Sequence, residues 1–174
     1  GIGIGPKAID RVIGTAKADT TRIGAGPFPT EVGEEIASQM REAGGEYGTT
    51  TGRGRRIGWF DAVVMRKSAR LNGLDALAIT HVDVLGQFDE IPICIGYRSD
   101  GEEVSDFPNQ SEQLARCRPV YQSLPGWQSD ISRLRRFSEL PRNAQSYVRR
   151  LEELVGVPVC QVLVGRERDQ SIVL

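Results

Sequence analysis

Apolar residues recur along this chain at two spacings, and the switching between them predicts an α/β fold. From Lys7 to Ala18, Ile9, Val12, Ile13 and Ala16 lie at helical intervals; with Pro6 suited to a first turn, a helix is expected after the glycine loop at 1–5. Thr20 to Glu31 holds two prolines and two glycines and reads as a loop. Thr30 is placed to cap a helix running to about Glu42, stopped by Gly44-Gly45. Trp59 to Leu71 predicts a helix closed by Asn72-Gly73, with Arg66, Lys67 and Arg70 on a solvated face. The short apolar run Ala76-Leu77-Ala78-Ile79 reads as a buried strand. Ile91 to Tyr97 reads as another, turning at Asp100-Gly101 into a partner near Glu103-Val104. Residues 105–128 follow neither period and read as a surface excursion. Pro141 to Val155 predicts a helix with Tyr147, Val148, Leu151 and Leu154 on one face and Gly156 just past its end. A strand over Val157 to Val164 and the start of another at Gln170 to Leu174 complete the pattern.

Composition narrows this picture. The 174 residues suffice for one domain with a sizeable core. A near balance of 22 basic and 23 acidic side chains, with few aromatics, argues against a nucleic-acid partner. Cys94, Cys117 and Cys160 are far apart and read as reduced thiols, Cys94 and Cys160 in apolar runs that predict burial; with a single His they form no zinc motif. No signal peptide or membrane-spanning run is evident, so a cytoplasmic protein is expected. The chain opens on Gly1-Ile2-Gly3 without a Met and closes on Ser171-Ile172-Val173-Leu174, so a longer parent polypeptide is expected.

The densest chemistry lies in Thr49-Thr50-Thr51-Gly52-Arg53-Gly54-Arg55-Arg56. Hydroxyls, glycine amides and planar guanidinium forks suit a small ligand with more than one acidic group. A basic turn on a solvated surface has similar composition, but Ile57-Gly58-Trp59-Phe60 runs directly into an apolar segment that would anchor the loop. Asp83, in Thr80-His81-Val82-Asp83, could accept from the N1–H and exocyclic amine of guanine, or could cap a turn. Gly165 is open to the same two readings, as a close approach to ligand or a plain turn. His81, the sole imidazole, could stack, hydrogen-bond or serve as an acid. No Gly-x-x-x-x-Gly-Lys-Ser/Thr phosphate loop is present.

Several strings together resemble the adenylosuccinate synthetase family: Gly3-Ile4-Gly5-Pro6-Lys7, the run from Thr20 to Glu31, Gly48 to Arg56, Gly58-Trp59, Asp83-Val84-Leu85, Phe88-Asp89-Glu90, Leu124-Pro125-Gly126-Trp127, Gly156-Val157-Pro158, and Val164 to Arg168. The resemblance is collinear over essentially the whole chain. It implies residues 1–174 as the C-terminal part of a single domain: part of a mostly parallel sheet with flanking helices, of P-loop-NTPase-like fold, with the N-terminal half missing. The family uses GTP and magnesium to phosphorylate the 6-oxygen of inosine monophosphate, and L-aspartate then displaces that phosphate to give adenylosuccinate. By resemblance, Thr49, Thr50, Thr51, Gly52, Arg53, Gly54 and Arg55 close on aspartate. Arg53 also reaches inosine monophosphate, and Ile23 stands at a ribose contact. Arg55, His81, Val82, Asp83, Leu163, Val164 and Gly165 meet GTP.

Two departures stand out. His81 replaces the family's lysine, which should alter the cover over the base, and Arg166 replaces a common proline, which should loosen the turn after Gly165. The family's phosphate loop, catalytic Asp and His, and the Arg lent across its homodimer are all expected before Gly1, so this chain has no catalytic residue or magnesium ligand assigned. It is expected to be inactive alone. A non-catalytic guanine-nucleotide-binding module is the alternative reading.

Overall fold

A computed structural model describes residues 3–104 and 106–174. Its framework is set by one stretch of chain that serves two sheets. Strand β1 (Ile13–Lys17) pairs in parallel with β4 (Ala76–Thr80), and β2 (Asp19–Arg22) pairs antiparallel with β3 (Arg56–Asp61). Between β1 and β2, Ala18 is fully buried; its N–H donates to Thr80 O at 2.8 Å and its carbonyl accepts from the Tyr147 hydroxyl at 2.8 Å.

The first sheet has the order β1-β4-β8-β9, with β8 at Val159–Leu163 and β9 at Ser171–Val173. Its β1-β4-β8 part is parallel, and β9 returns antiparallel. In the second sheet β3 runs parallel to β5 (Glu90–Ser99), while β6 (Glu102–Val104) and β7 (Arg118–Pro125) pair antiparallel with β5. The α/β class therefore stands, but predominance of parallel pairing holds only for the first sheet.

Among the described residues four α-helices complete the fold: α1 (Glu34–Gly44), α2 (Ala62–Asn72), α3 (Ser111–Arg116) and α4 (Arg142–Val155). Helix α4 buries Ala144, Tyr147, Val148, Leu151 and Val155, the stripe its periodicity predicts, and ends at Gly156 in the left-handed region. Leu154 stays at the edge of that stripe, packed on the core while half-buried.

Five expected elements differ. Thr20, Thr21 and Arg22, expected as the start of a loop, lie in β2, because pairing with β3 takes their backbone groups. Residues Ile13–Lys17 form a strand rather than part of a helix, because pairing with β4 takes their backbone groups; only a short 3-10 turn, Pro6–Ala8, precedes it. Thr30 does not cap α1. Its carbonyl accepts from Trp59 N at 3.1 Å and Val32 N donates to Ile57 O at 3.0 Å, which holds this segment extended along β3, so the helix begins at Glu34. Trp59 and Phe60 belong to β3, buried in the core, and α2 starts only after Asp61. Within 105–128 lies β7, aligned with β5 over its whole length, where prolines at 119 and 125 are tolerated because the strand is at a sheet edge. Just beyond it, Gly126 passes so close to Phe88 that an added Cβ would stand 1.7 Å from that residue's carbonyl oxygen.

Side-chain expectations divide similarly. Arg70 is exposed, but the Arg66 guanidinium donates to Ile95 O at 3.2 Å and Leu154 O at 3.3 Å, tying α2 to β5 and α4. Cys94 and Cys117 are buried and Cys160 is half-buried, all three as free thiols. Burial, reinforced by the Asp61 charge, pushes the Cys94 thiol up to about 12.

Asp61 is the buried polar group that starts α2. One carboxylate oxygen accepts from Val63 N at 3.0 Å and Val64 N at 3.1 Å, and the other accepts the Tyr97 hydroxyl. Burial raises its pKa despite these bonds and the nearby Arg66 charge. Replacing Asp61 by Ala removes the cap and leaves a phenol and two amides unpaired, so a loss of about 2–4 kcal/mol is expected. Asn keeps the oxygen facing the amides and should lose clearly less; urea unfolding of the two variants measures the difference.

Candidate functional site

The three parallel strands of the first sheet end side by side. Lys17 pairs with Thr80 at the ends of β1 and β4, and Ile79 pairs with Val162 one step before Leu163 ends β8. The C-terminal edge of a parallel sheet is the usual place for a ligand in open α/β folds. His81, Val82 and Asp83 leave β4 there, and Leu163, Val164 and Gly165 leave β8 beside them, so both predicted segments share one edge. Val82 and Val164 are fully buried, which leaves their backbone groups as the parts able to face a ligand.

His81 is one of the few non-glycine residues with a positive φ, at 62°. This conformation aims the imidazole back at the core. Its Nδ1 lies 3.0 Å from Asp19 Oδ1 and its Nε2 lies 3.4 Å from Glu46 Oε1. Burial raises the Asp83 pKa, opposed by its own backbone amide and by the charges of His81 and Arg166. Arg166, expected to loosen the turn after Gly165, ties it down instead: its guanidinium donates to Ala43 O at 2.9 Å, the exposed carbonyl end of α1. The same turn is closed by Val164 N donating to Gln170 O at 2.9 Å and Gln170 N donating to Glu167 O at 3.0 Å.

The Thr-Gly-Arg stretch follows directly from the end of α1. Gly45 adopts the left-handed cap, and Glu46 N donates back to Arg41 O at 3.0 Å. Tyr47 and Gly54 form a bridge that closes the loop between them. Inside it, Gly48 N donates to Arg53 O and Gly52 N to Gly48 O, both at 2.8 Å, and Gly52 supplies the positive φ of 65° that this tight path requires. Thr49, Thr50, Thr51 and Arg53 are exposed. The loop faces the 22–26 segment across a cavity of about 950 Å³, and Ile23 stands on the opposite wall, 77% exposed.

The three arginines of the stretch have separate tasks. Arg56 forms a bidentate pair with Glu31, both contacts at 2.6 Å, and also donates to Gly24 O at 3.1 Å and Gly26 O at 2.9 Å. Arg22 donates to Pro27 O at 2.8 Å and Ala25 O at 3.1 Å, so two guanidiniums hold the 24–27 turn by its carbonyls. Arg55 turns inward and donates from Nη1 to Glu46 Oε2 at 2.7 Å. Among the described residues no carboxylate pairs with Arg53, which is the guanidinium left facing the cavity.

Three residues that sequence reasoning missed join the two halves of the site. Glu46 is buried, and its carboxylate is met by Lys17 at 2.5 Å as well as by Arg55 and His81. Burial pushes its pKa up, but the Lys17 and Arg55 hydrogen bonds and the Lys17 and His81 charges outweigh that and hold it below the usual glutamate range. Asp19 is the third member. It is buried with Oδ1 on His81 and Oδ2 without a partner. A lone Glu after a Gly-Gly pair and a Lys in an apolar strand carry no local signal of this cluster. No group of three or more His, Cys, Asp or Glu suited to a metal ion occurs among the described residues. No helix there is long and apolar enough to cross a membrane.

The Arg56 clamp has a testable consequence. Its hydrogen bond lowers the Glu31 pKa, so the pair's contribution is complete above the unfolded glutamate value of about 4.3 and is lost as pH falls through the lower folded value. Exchange of the residue-31 amide, which donates to Phe28 O at 3.1 Å, should therefore stay slow relative to its unfolded rate down to about pH 4. In Glu31→Gln it should be fast already at neutral pH.

Comparison with known proteins places this architecture. A family model described as adenylosuccinate synthetase matches residues 1–172. Adenylosuccinate synthetases of Streptococcus gordonii and Synechococcus sp. are 51% and 52% identical over all 174 residues, which amount to 40% of each relative's length. A solved structure, described as fully ligated adenylosuccinate synthetase from Plasmodium falciparum, superposes with a TM-score of 0.96 at 36% identity, covering 100% of this chain and 42% of that one. These matches fix the family and the share of its length. They give no support to the expectation of a C-terminal portion.

Proposed function

We propose that this chain, which belongs to the adenylosuccinate synthetase family, supplies the aspartate-closing loop and the guanine-reading edge of a GTP-dependent ligase in purine biosynthesis. The reaction would join inosine monophosphate and L-aspartate into adenylosuccinate. The observation that carries this reading is the sharing of Glu46 between Arg55, at the root of the Thr-Gly-Arg loop, and His81, at the strand edge. A diacid site and a purine-base site thereby become neighbours.

In this reading Arg53 supplies the bidentate fork for the aspartate carboxylates, and Thr49, Thr50 and Thr51 add hydroxyl donors around it. Ile23, on the facing wall, packs on the ribose of inosine monophosphate. Asp83 accepts two hydrogen bonds from guanine, a pairing that adenine cannot return. Burial raises its pKa, and two donors on the carboxylate would favour its charged form. Leu163, Val164 and Gly165 offer backbone groups to the same base.

The chemistry asked of these residues is positioning and charge neutralisation rather than proton transfer. The loop would hold the aspartate amine toward C6, from which the phosphorylated 6-oxygen leaves as phosphate, and bring cationic groups where that charge develops. Magnesium is expected with GTP; among the described residues no group of three or more His, Cys, Asp or Glu is arranged to hold a metal ion. Homodimer formation, expected from the resemblance, belongs to the same proposal.

Arg53→Leu in the full-length parent polypeptide removes a charge-assisted fork worth about 1.5–3 kcal/mol, so KM for aspartate should rise roughly 10- to 150-fold. The KM for GTP should change far less. Unaltered aspartate kinetics would overturn the assignment. The 174-residue chain by itself should form no adenylosuccinate from GTP, inosine monophosphate and aspartate, since no phosphate-binding glycine loop is present in it. Product formation followed by absorbance measures both outcomes.

A further inference from the structure

Glu46 does not line the cavity facing Arg53, yet it is paired both with Arg55, which does, and with His81 at the strand edge. We infer that Glu46 is a positioning residue that couples occupancy of the guanine edge to the aspartate loop. The inference rests on the functional reading above and goes beyond it, because it assigns communication between two ligand sites to one buried carboxylate.

Three observations carry it. The first is the cluster itself. Glu46 is 4% exposed and receives Lys17 at 2.5 Å from the end of β1, Arg55 at 2.7 Å from the loop, and His81 at 3.4 Å from the end of β4. Lys17 and His81 share Oε1, while Arg55 holds Oε2, so each face of the carboxylate serves one side of the site. Moving a cation on either side changes how strongly the other side is held, because one negative charge serves both.

The second is backbone rigidity. Glu46 follows the left-handed cap of α1, its N–H is tied to Arg41 O, and its carbonyl accepts from Arg55 N at 3.0 Å. The carboxylate therefore cannot follow a departing partner freely. The third is the absence of a substitute among the described residues. Arg55 Nε is buried without a hydrogen-bond partner, so the guanidinium is oriented by Glu46 alone. On the other side Asp19 fixes Nδ1 of His81 at 3.0 Å and leaves Nε2 turned to Glu46.

A base settling against His81, or a phosphate drawing on Lys17, would weaken their hold on Oε1 and strengthen that on Arg55. Thermodynamic reciprocity then requires aspartate at the loop to change guanine-nucleotide affinity by the same factor. Coupling between sites is typically about 5-fold or more.

The test measures the Kd of a non-hydrolysable GTP analogue on the full-length parent polypeptide, in the presence of inosine monophosphate, with and without saturating aspartate. Wild type should show a ratio of about 5 or greater. Glu46→Gln keeps the shape and removes the charge, and its ratio should fall close to 1 although both ligands still bind; Glu46→Asp should recover part of it. Lys17→Gln, which breaks one arm only, should give an intermediate ratio and serves as the second variant if Glu46→Gln does not fold. A ratio unchanged in the folded Gln variants, or a ratio near 1 in wild type, overturns the coupling role. Wild type that binds no guanine nucleotide overturns the functional reading as well, which separates the two failures.

Discussion

The fold depends on a single stretch of chain satisfying two sheets at once. Residues 13–17 must match β4 in parallel, residues 19–22 must match β3 antiparallel, and Ala18 is the one residue in which the change of partner takes place. A larger side chain there would meet a fully buried environment, and both its backbone groups are already engaged, by Thr80 and by Tyr147. The consequence reaches the site directly. Lys17 and Asp19 flank Ala18, so the crossing point delivers one cation and one anion to the edge where β4 and β8 end.

Burying those charges is costly unless each is matched. The structure meets that cost with a compact arrangement of alternating sign, in which Asp19 faces His81 and Glu46 faces Lys17, His81 and Arg55. Asp19 Oδ2 and Arg55 Nε are the buried polar atoms of the cluster without a partner. Unmatched groups of this kind are rare in interiors and concentrate where ligands complete the network. The strained φ of His81 belongs to the same region.

How much of this was legible in the sequence follows from the range of the interactions involved. Helix α4 could be read because fourteen residues repeat one stripe, and Gly45, Gly73 and Gly156 mark helix ends by a backbone conformation that glycine adopts freely. Strand β1 could not, since four apolar residues three or four apart fit a helix equally well and only pairing with β4 decides. In β7 two prolines obscured a strand that its alternating burial supports. The exposed loop from Thr49 to Arg53 announced itself by composition. Lys17, Asp19 and Glu46 did not, because the Lys17–Glu46 and Asp19–His81 pairs span 29 and 62 positions and leave no local pattern.

The division of labour among the arginines limits what the loop can achieve electrostatically. Arg56 is occupied with Glu31 and two carbonyls and Arg55 with Glu46, so among the described residues a stretch carrying three formal positive charges leaves one without a carboxylate partner. An exposed single charge is screened over roughly 8 Å at physiological ionic strength. In the proposed reading, capture of a small diacid there would be governed by fork geometry at short range, with little long-range attraction, and would weaken with added salt. Recognition at the half-buried edge near Asp83 would be shielded from that effect, so on the proposed reading background electrolyte would set the balance between the two halves of the site.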